Sequence, residues 1–101
     1  MTKTVLADVY ELLTTMGVVQ NESEFSRDWL GRSECYLRTV RFKRTQPSVS
    51  SIAVCASRLE HYGRRMQQTD AHKALGERFV ELAAQCHADI NRTCEAEWLT
   101  A

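Results

Sequence analysis

Helix-breaking residues are scarce in this chain, whose 101 residues include only four glycines and one proline. These two residue types most often interrupt regular elements, so their scarcity leaves long continuous segments. Apolar residues recur along those segments at spacings of three and four, and no segment sustains the alternation typical of a half-buried strand. The sequence therefore predicts an all-α protein.

The first two helices are predicted from capping residues and from apolar spacing. A helix over residues 4–16 ends at Gly17, a residue type that favours the left-handed conformation after a helix. Asn21 is expected to cap the second helix, with Glu24 completing a reciprocal capping box. The apolar positions expected to face the core are Val5, Leu6, Val9, Leu12, Leu13, Met16, Phe25 and Trp29.

The third and fourth helices are separated by a loop at residues 45–47. Ser33 is expected to cap the third helix, which ends near residue 43, and Ser48 or Ser50 the fourth. The inward positions of these helices are predicted to be Leu37, Val40, Ile52, Cys55, Ala56 and Leu59. The outward side of the third helix is predicted to carry Cys35, Arg38, Thr39 and Phe42.

The next break is predicted between Gly63 and Asp70, followed by a long final helix that opens at Thr69 or Asp70. Gly76 weakens this helix slightly. Its stripe comprises Leu75, Phe79, Leu82, Ala83, Cys86 and Ile90, and Cys94 and Trp98 are candidates to extend it. The expected architecture is a five-helix bundle with a helix–turn–helix domain at 1–66 and a C-terminal helix at 67–101 that packs or dimerises.

Charge is unevenly distributed although the formal net charge is zero. Residues 1–66 hold ten Lys/Arg and seven Asp/Glu, a balance of +3, whereas residues 67–101 hold three and six, a balance of −3. Residues 32–44 contain five basic side chains against one acidic side chain, Glu34. Local charge governs contact with phosphates, so the neutral total leaves nucleic-acid binding open.

No catalytic, metal or cofactor site is predicted. The four cysteines, at positions 35, 55, 86 and 94, form no CxxC pair and have no standard zinc spacing, which favours reduced structural thiols. No acid completes a Cys/His arrangement, and no glycine-rich phosphate loop is present. We expect a non-enzymatic protein without a small-molecule substrate.

Membrane insertion and secretion are not expected. No apolar run approaches the roughly 20 residues that a bilayer-spanning helix needs. The N-terminal segment becomes polar at Asp8 and Glu11, which argues against a signal peptide. We therefore expect a cytoplasmic protein.

The segment from Gly31 to Ser48 carries the functional hypothesis, because its order of residues matches a helix–turn–helix. Such units need a turn, a capped helix start and inward apolar anchors, and their second helix enters the major groove of DNA. We predict a recognition helix at about 33–43. The predicted base contacts are Glu34, Cys35, Tyr36, Arg38 and Thr39, and the predicted phosphate contacts are Arg32, Ser33, Arg41, Lys43 and Arg44.

This segment resembles the lambda-repressor-like (Cro/C1-type) helix–turn–helix family over roughly residues 20–60. The matching residues are Gly31, Ser33, Leu37, Val40, Pro47-Ser48, Ala56 and Leu59. It departs from the family at Lys43, where a loop glycine is usual, at Arg41, where an acid is common, and at Phe25-Ser26, one residue too far from Gly31. The core from Phe25 to Ser33 also resembles a group of small bacterial proteins of unknown function.

The resemblance implies a transcriptional regulator that binds double-stranded DNA as a homodimer, because repressors of this kind gain affinity from two half-sites. A protein-interaction module on the same fold, an adaptor or an inhibitor of another regulator, is the alternative. Tyr36 and Phe42 would then contact a protein partner, and the zero net charge favours this alternative.

Overall fold

The structure is a computed structural model that describes residues 4–99. Five α-helices follow one another, and the described range contains no strand, which confirms the all-α prediction. The ends of the two predicted domain ranges, 1–3 and 100–101, lie outside the described residues. The helices are α1 (Val5–Thr15), α2 (Glu22–Asp28), α3 (Tyr36–Lys43), α4 (Val49–Met66) and α5 (Lys73–Leu99), and a 3-10 turn (Asp70–His72) precedes α5.

The first two helices begin and end largely as their sequences predict. The Asn21 side chain accepts a hydrogen bond from Glu24 N at 2.9 Å. The Glu24 carboxylate accepts from Gln20 N at 3.4 Å, so the return bond of the capping box lies one residue earlier than expected. Gly17 adopts a positive φ of 78° just after α1, as a helix-ending glycine should.

Ser33 does not cap α3, so this prediction is wrong. Cys35 occupies the capping position and its side chain makes no capping hydrogen bond. The Ser33 carbonyl instead accepts from Tyr36 N at 3.1 Å, which closes a turn and delays the start of the helix to Tyr36. At the fourth helix the Ser48 side chain does accept from Ser51 N at 3.2 Å, which confirms that cap.

Helices α4 and α5 form an antiparallel hairpin, the largest packing interaction in the fold. Gly63 of α4 lies against Gly76 of α5, and the side chains of Cys55 and Cys86 are neighbours about two turns further along. The break predicted between Gly63 and Asp70 lies at residues 67–69, and it begins later than Gly63 because α4 continues through this glycine to Met66. A buried glycine here lets the two helix backbones approach closely.

One hydrophobic core joins α1, α2, α4 and α5, so the final helix shares the core of the preceding segment. Leu75 and Ile90 pack at the edge of this core, whereas Cys94 and Trp98, the candidates to extend the stripe, are exposed. Tyr62 is also more exposed than a core residue. The buried apolar residues are Leu6, Val9, Leu13, Val19, Phe25, Trp29, Leu30, Ile52, Cys55, Ala56, Leu59, Phe79, Leu82, Ala83 and Cys86.

Candidate nucleic-acid interface

Helix α3 lies on the periphery of the fold, and none of its residues is fully buried. Leu37 and Val40 face the rest of the molecule, as predicted, but they are only half-buried. Together they line a concavity of about 380 Å³ between α3 and α1. The helix is therefore anchored along one side and leaves the opposite side to solvent.

Tyr36 connects the start of α3 to the start of α4 through its hydroxyl group. The phenol oxygen accepts from Ser48 N at 2.8 Å and lies 3.2 Å from Ser48 Oγ and 3.3 Å from Ser51 Oγ. Partial burial raises the pKa of Tyr36, but the bonds from the two serines and the nearby Arg32 outweigh it, and the net shift is downward. The predicted base contact at Tyr36 therefore has its polar group already engaged.

Arg32 lies beside the same junction. Its guanidinium donates to Ser50 Oγ and to Ser48 Oγ, the latter at 3.3 Å. The guanidinium carbon lies 5.8 Å from the centre of the Tyr36 ring, a cation–π distance. Arg32 is thus held at the first turn of α4, beside the predicted recognition helix.

Two of the predicted DNA contacts form ion pairs within the chain. Arg41 contacts Glu22 of α2 at 2.5 Å, and the hydrogen bond to this carboxylate raises the pKa of the guanidinium. Glu34 accepts from Arg27 at 2.9 Å. All four side chains remain substantially exposed, so these pairs are screened by solvent and exchangeable.

Three exposed cations have no such partner. Lys43 and Arg44, at the C-terminal end of α3, and Arg38, on its outward side, make no ion pair and no side-chain hydrogen bond within residues 4–99. Thr39 and Cys35 are exposed on the same side, and Phe42 is 87% exposed. The predicted outward side of the helix is therefore confirmed, and it presents unpaired positive charge around an exposed aromatic ring.

Arg44 ends α3 in the left-handed conformation, with a φ of 54°. This conformation favours glycine, because a Cβ atom is crowded there. The chain thus has an arginine at the position where α3 needs a left-handed residue. This position follows Lys43, where the helix–turn–helix family that the sequence resembles usually has a loop glycine.

Comparison with known proteins identifies the family. The model of DUF6626, a family of unknown function, matches residues 6–99. The chain belongs to DUF6626. The comparisons with curated proteins and with solved structures found no match.

The connection between α2 and α3 in this DUF6626 chain is longer than a helix–turn–helix turn. Seven residues, 29–35, separate the two helices, whereas such turns usually have three or four. Trp29 and Leu30 are buried within it, and Gly31 supplies a φ of 65°. Arg32 N donates to the Ser26 carbonyl at 3.0 Å, so the connection is itself fixed against α2.

The DUF6626 chain has a second concavity that the sequence did not predict. It measures about 540 Å³ and lies beside Trp29, Tyr62 and Phe79, where the end of α4 meets the start of α5. Little in the sequence indicates this groove, because its three aromatic residues are far apart along the chain. Only their meeting in the fold creates the groove.

Between residues 4 and 99, no three or more His, Cys, Asp or Glu residues are grouped so that they could hold a metal ion. None of the helices in that range combines the length and the apolar character that crossing a membrane requires.

Proposed function

We propose that this protein binds double-stranded DNA through the outward side of α3 and regulates transcription. The observation that carries the proposal is the unpaired positive charge of Arg38, Lys43 and Arg44 on an exposed helix. Segment 35–45 contains no acidic residue that would repel a phosphate backbone. Phosphate contacts of this kind supply much of the affinity of DNA-binding proteins.

The two ends of the surface have different roles in the proposal. Arg38 and Thr39, with Cys35, face outward near the start of α3 and are the candidates for base contacts. Lys43, Arg44 and the exchangeable Arg41 lie toward its end, where they would position the phosphate backbone.

Two of the predicted contacts take altered roles, and a third keeps its role. Tyr36 positions α3 against α4 through its hydroxyl group, and Glu34 neutralises Arg27. Ser33, which does not cap the helix, lies in the connection beside Arg32 and stays a candidate phosphate contact.

A salt-titrated binding assay tests the proposal with labelled duplexes. We expect wild-type protein to bind in low salt, and Arg38→Ala to bind more weakly and to lose discrimination between sequences by about 1–3 kcal/mol if this residue contacts a base. Lys43→Ala should lower the slope of log affinity against log salt by about 0.9. Arg78→Ala is the matched control, because it removes an exposed arginine from the distant helix α5. Absence of duplex binding by the wild type in low salt would refute the proposal.

The protein-interaction module is the second candidate, favoured by Phe42. Its side chain is 87% exposed and would offer a protein partner an apolar contact. Selection of bound duplexes from a random pool separates the two functions. Enrichment of a sequence supports the DNA-binding function, and an unenriched pool supports the protein module.

A further inference from the structure

The groove beside Trp29 is mainly apolar, and three aromatic side chains line it. The Trp29 ring lies 5.7 Å from the centre of Tyr62 and 6.3 Å from that of Phe79. Met16 and Met66 complete its apolar lining. Tyr62 is 41% exposed, so an aromatic surface remains open to solvent in the single chain. A volume of about 540 Å³ can accept a large side chain.

The rim of this groove is predominantly basic. Arg58, Arg65 and His72 line it together with one acid, Asp28. The Asp28 carboxylate is already paired with Arg27 at 3.0 Å, and this hydrogen bond lowers the pKa of Asp28. The two rim arginines make no ion pair within residues 4–99, although Arg58 is near enough to Asp28 to contribute to its lowered pKa.

The C-terminal end of α5 carries exposed apolar side chains beside acidic ones, which complement the apolar groove and its basic rim. The Gly63–Gly76 and Cys55–Cys86 contacts set an antiparallel register that places the first residue of α4 near Arg92. Residues 93–99 therefore extend past α4. This segment, the α5 overhang, carries Trp98 at 65% exposure and Leu99 at 63% beside two acids, Glu95 and Glu97.

The overhang cannot reach the groove of its own chain. Phe79 lines the groove and Trp98 lies nineteen residues later on the same continuous helix, about 28 Å away at 1.5 Å per residue. An overhang placed in this groove would therefore come from a second copy of the chain. An occupant that combines a large apolar ring with acidic neighbours matches the groove in both shape and charge.

We propose that two copies of this protein pair by each inserting Trp98 into the aromatic groove of the other. Glu95 and Glu97 of the overhang then lie near Arg58 and Arg65 on the groove rim. Groove and overhang lie at opposite ends of α5, so two copies arranged antiparallel insert reciprocally and close a two-fold pair rather than an open chain. The contacts are small, which gives a concentration-dependent dimer rather than an obligate one. The pairing uses no residue of α3 and does not rest on DNA binding.

Sedimentation equilibrium up to the high-micromolar range tests the pairing. We expect wild-type protein to dimerise, and Trp98→Ala to weaken the dimer by about tenfold or more, as removal of a central tryptophan from an interface usually does. Trp98 lies outside the core, so the variant should keep the circular dichroism of the wild type. Phe42→Ala is the matched control, because it removes another exposed aromatic ring and should leave the dimer intact.

Charge reversal provides a second measurement. Glu95→Lys with Glu97→Lys should weaken the dimer, as should Arg58→Glu with Arg65→Glu, and combining all four changes should restore it. A monomeric wild type would overturn the pairing, and binding of anilinonaphthalene sulfonate to that monomer would assign the groove to small apolar anions. A dimer unaffected by Trp98→Ala would also overturn it. These outcomes leave the DNA-binding proposal unaffected, because that proposal is tested on duplexes with α3 variants.

Discussion

Gly63 and Gly76 meet near the closed end of the α4–α5 hairpin, backbone against backbone. A Cβ atom added to Gly76 would lie 2.6 Å from the Gly63 carbonyl oxygen and 2.9 Å from Gln67 N. A Cβ atom added to Gly63 would lie 2.9 Å from the Gly76 carbonyl oxygen. The close approach of the two helices, and with it the register of α5, depends on the absence of side chains at both positions.

Gly76→Ala is therefore expected to destabilise the protein although alanine favours helices. The gain in helix propensity is about 1 kcal/mol, whereas overpacking against backbone atoms costs about 1–3 kcal/mol and occasionally more. The clashing atoms belong to the backbone and cannot rotate away, so the cost should lie at the upper end of this range. We therefore expect a net loss of about 1–2 kcal/mol in the free energy of unfolding, measured by urea denaturation. Ser57→Ala, on the exposed face of α4, is the control and should change this value little. A more stable Gly76→Ala variant would contradict the close packing.

Tyr36→Phe should weaken the junction between α3 and α4. The variant leaves Ser48 N without its acceptor at the first turn of α4, a loss expected to lower the free energy of unfolding by about 1 kcal/mol. Tyr10→Phe is the matched control, since Tyr10 is also half-buried and its hydroxyl makes no hydrogen bond in the described part of the chain. Equal stability of both variants in urea would show that the Tyr36 hydroxyl contributes nothing.

Arg44→Gly separates stability from DNA binding. Glycine removes the crowding of the Cβ atom at a φ of 54°, so we expect the free energy of unfolding to rise by about 1 kcal/mol. The same change removes a proposed phosphate contact, so duplex affinity should fall. Arg44→Ala removes the charge but keeps the strained conformation, and it should bind equally weakly without the gain in stability. A variant that is more stable yet binds DNA as the wild type does would remove Arg44 from the proposed interface.

Ser26→Ala should stabilise the core. The Ser26 hydroxyl is fully buried beside Phe25 and has no hydrogen-bond partner among residues 4–99. Replacing it with a methyl group removes the desolvation penalty of an unsatisfied hydroxyl, about 1 kcal/mol. Thermal and urea denaturation should both show the increase, whereas Ser23→Ala, at a half-buried position of the same helix, should show none. A destabilised Ser26→Ala would indicate that the hydroxyl has a partner.

Thiol labelling should divide the four cysteines into two classes. Cys35 and Cys94 are exposed, whereas Cys55 and Cys86 are buried in the α4–α5 interface. The neighbouring Cys86 thiol and the burial both raise the pKa of the Cys55 thiol, which keeps it in its unreactive protonated form. Under native conditions Ellman's reagent should modify two thiols rapidly, and the other two only at the rate of unfolding. Rapid modification of more than two would contradict the packing of this hairpin.

Local signals located most of the helices and their buried faces. Asn21 and Ser48 cap the helices that they were expected to cap, and Phe25, Cys55 and Leu82 lie in the core as their spacing predicts. These features depend on hydrogen bonds and apolar spacing between residues that are close together in the sequence. They can therefore be predicted from the sequence alone.

Predictions failed where a residue's role depends on a distant segment. Gly63 is a residue type that often interrupts a helix, but here it lies within α4 and packs against Gly76. Ser33 is a residue type that often caps a helix, but the helix after it starts only at Tyr36. The pairing of Arg41 with Glu22 was equally unforeseen, because nineteen residues separate them.

The sequence by itself determined an all-helical chain with an uncovered basic side on its third helix, because scarce breakers, helical spacing and local charge are properties of neighbouring residues. Tertiary structure decided which cations stay unpaired, why two glycines are needed in the hairpin, and how an aromatic groove and an acidic overhang arise at opposite ends of α5. These features depend on the distances between helices, and those distances are set by how whole faces pack rather than by any one segment.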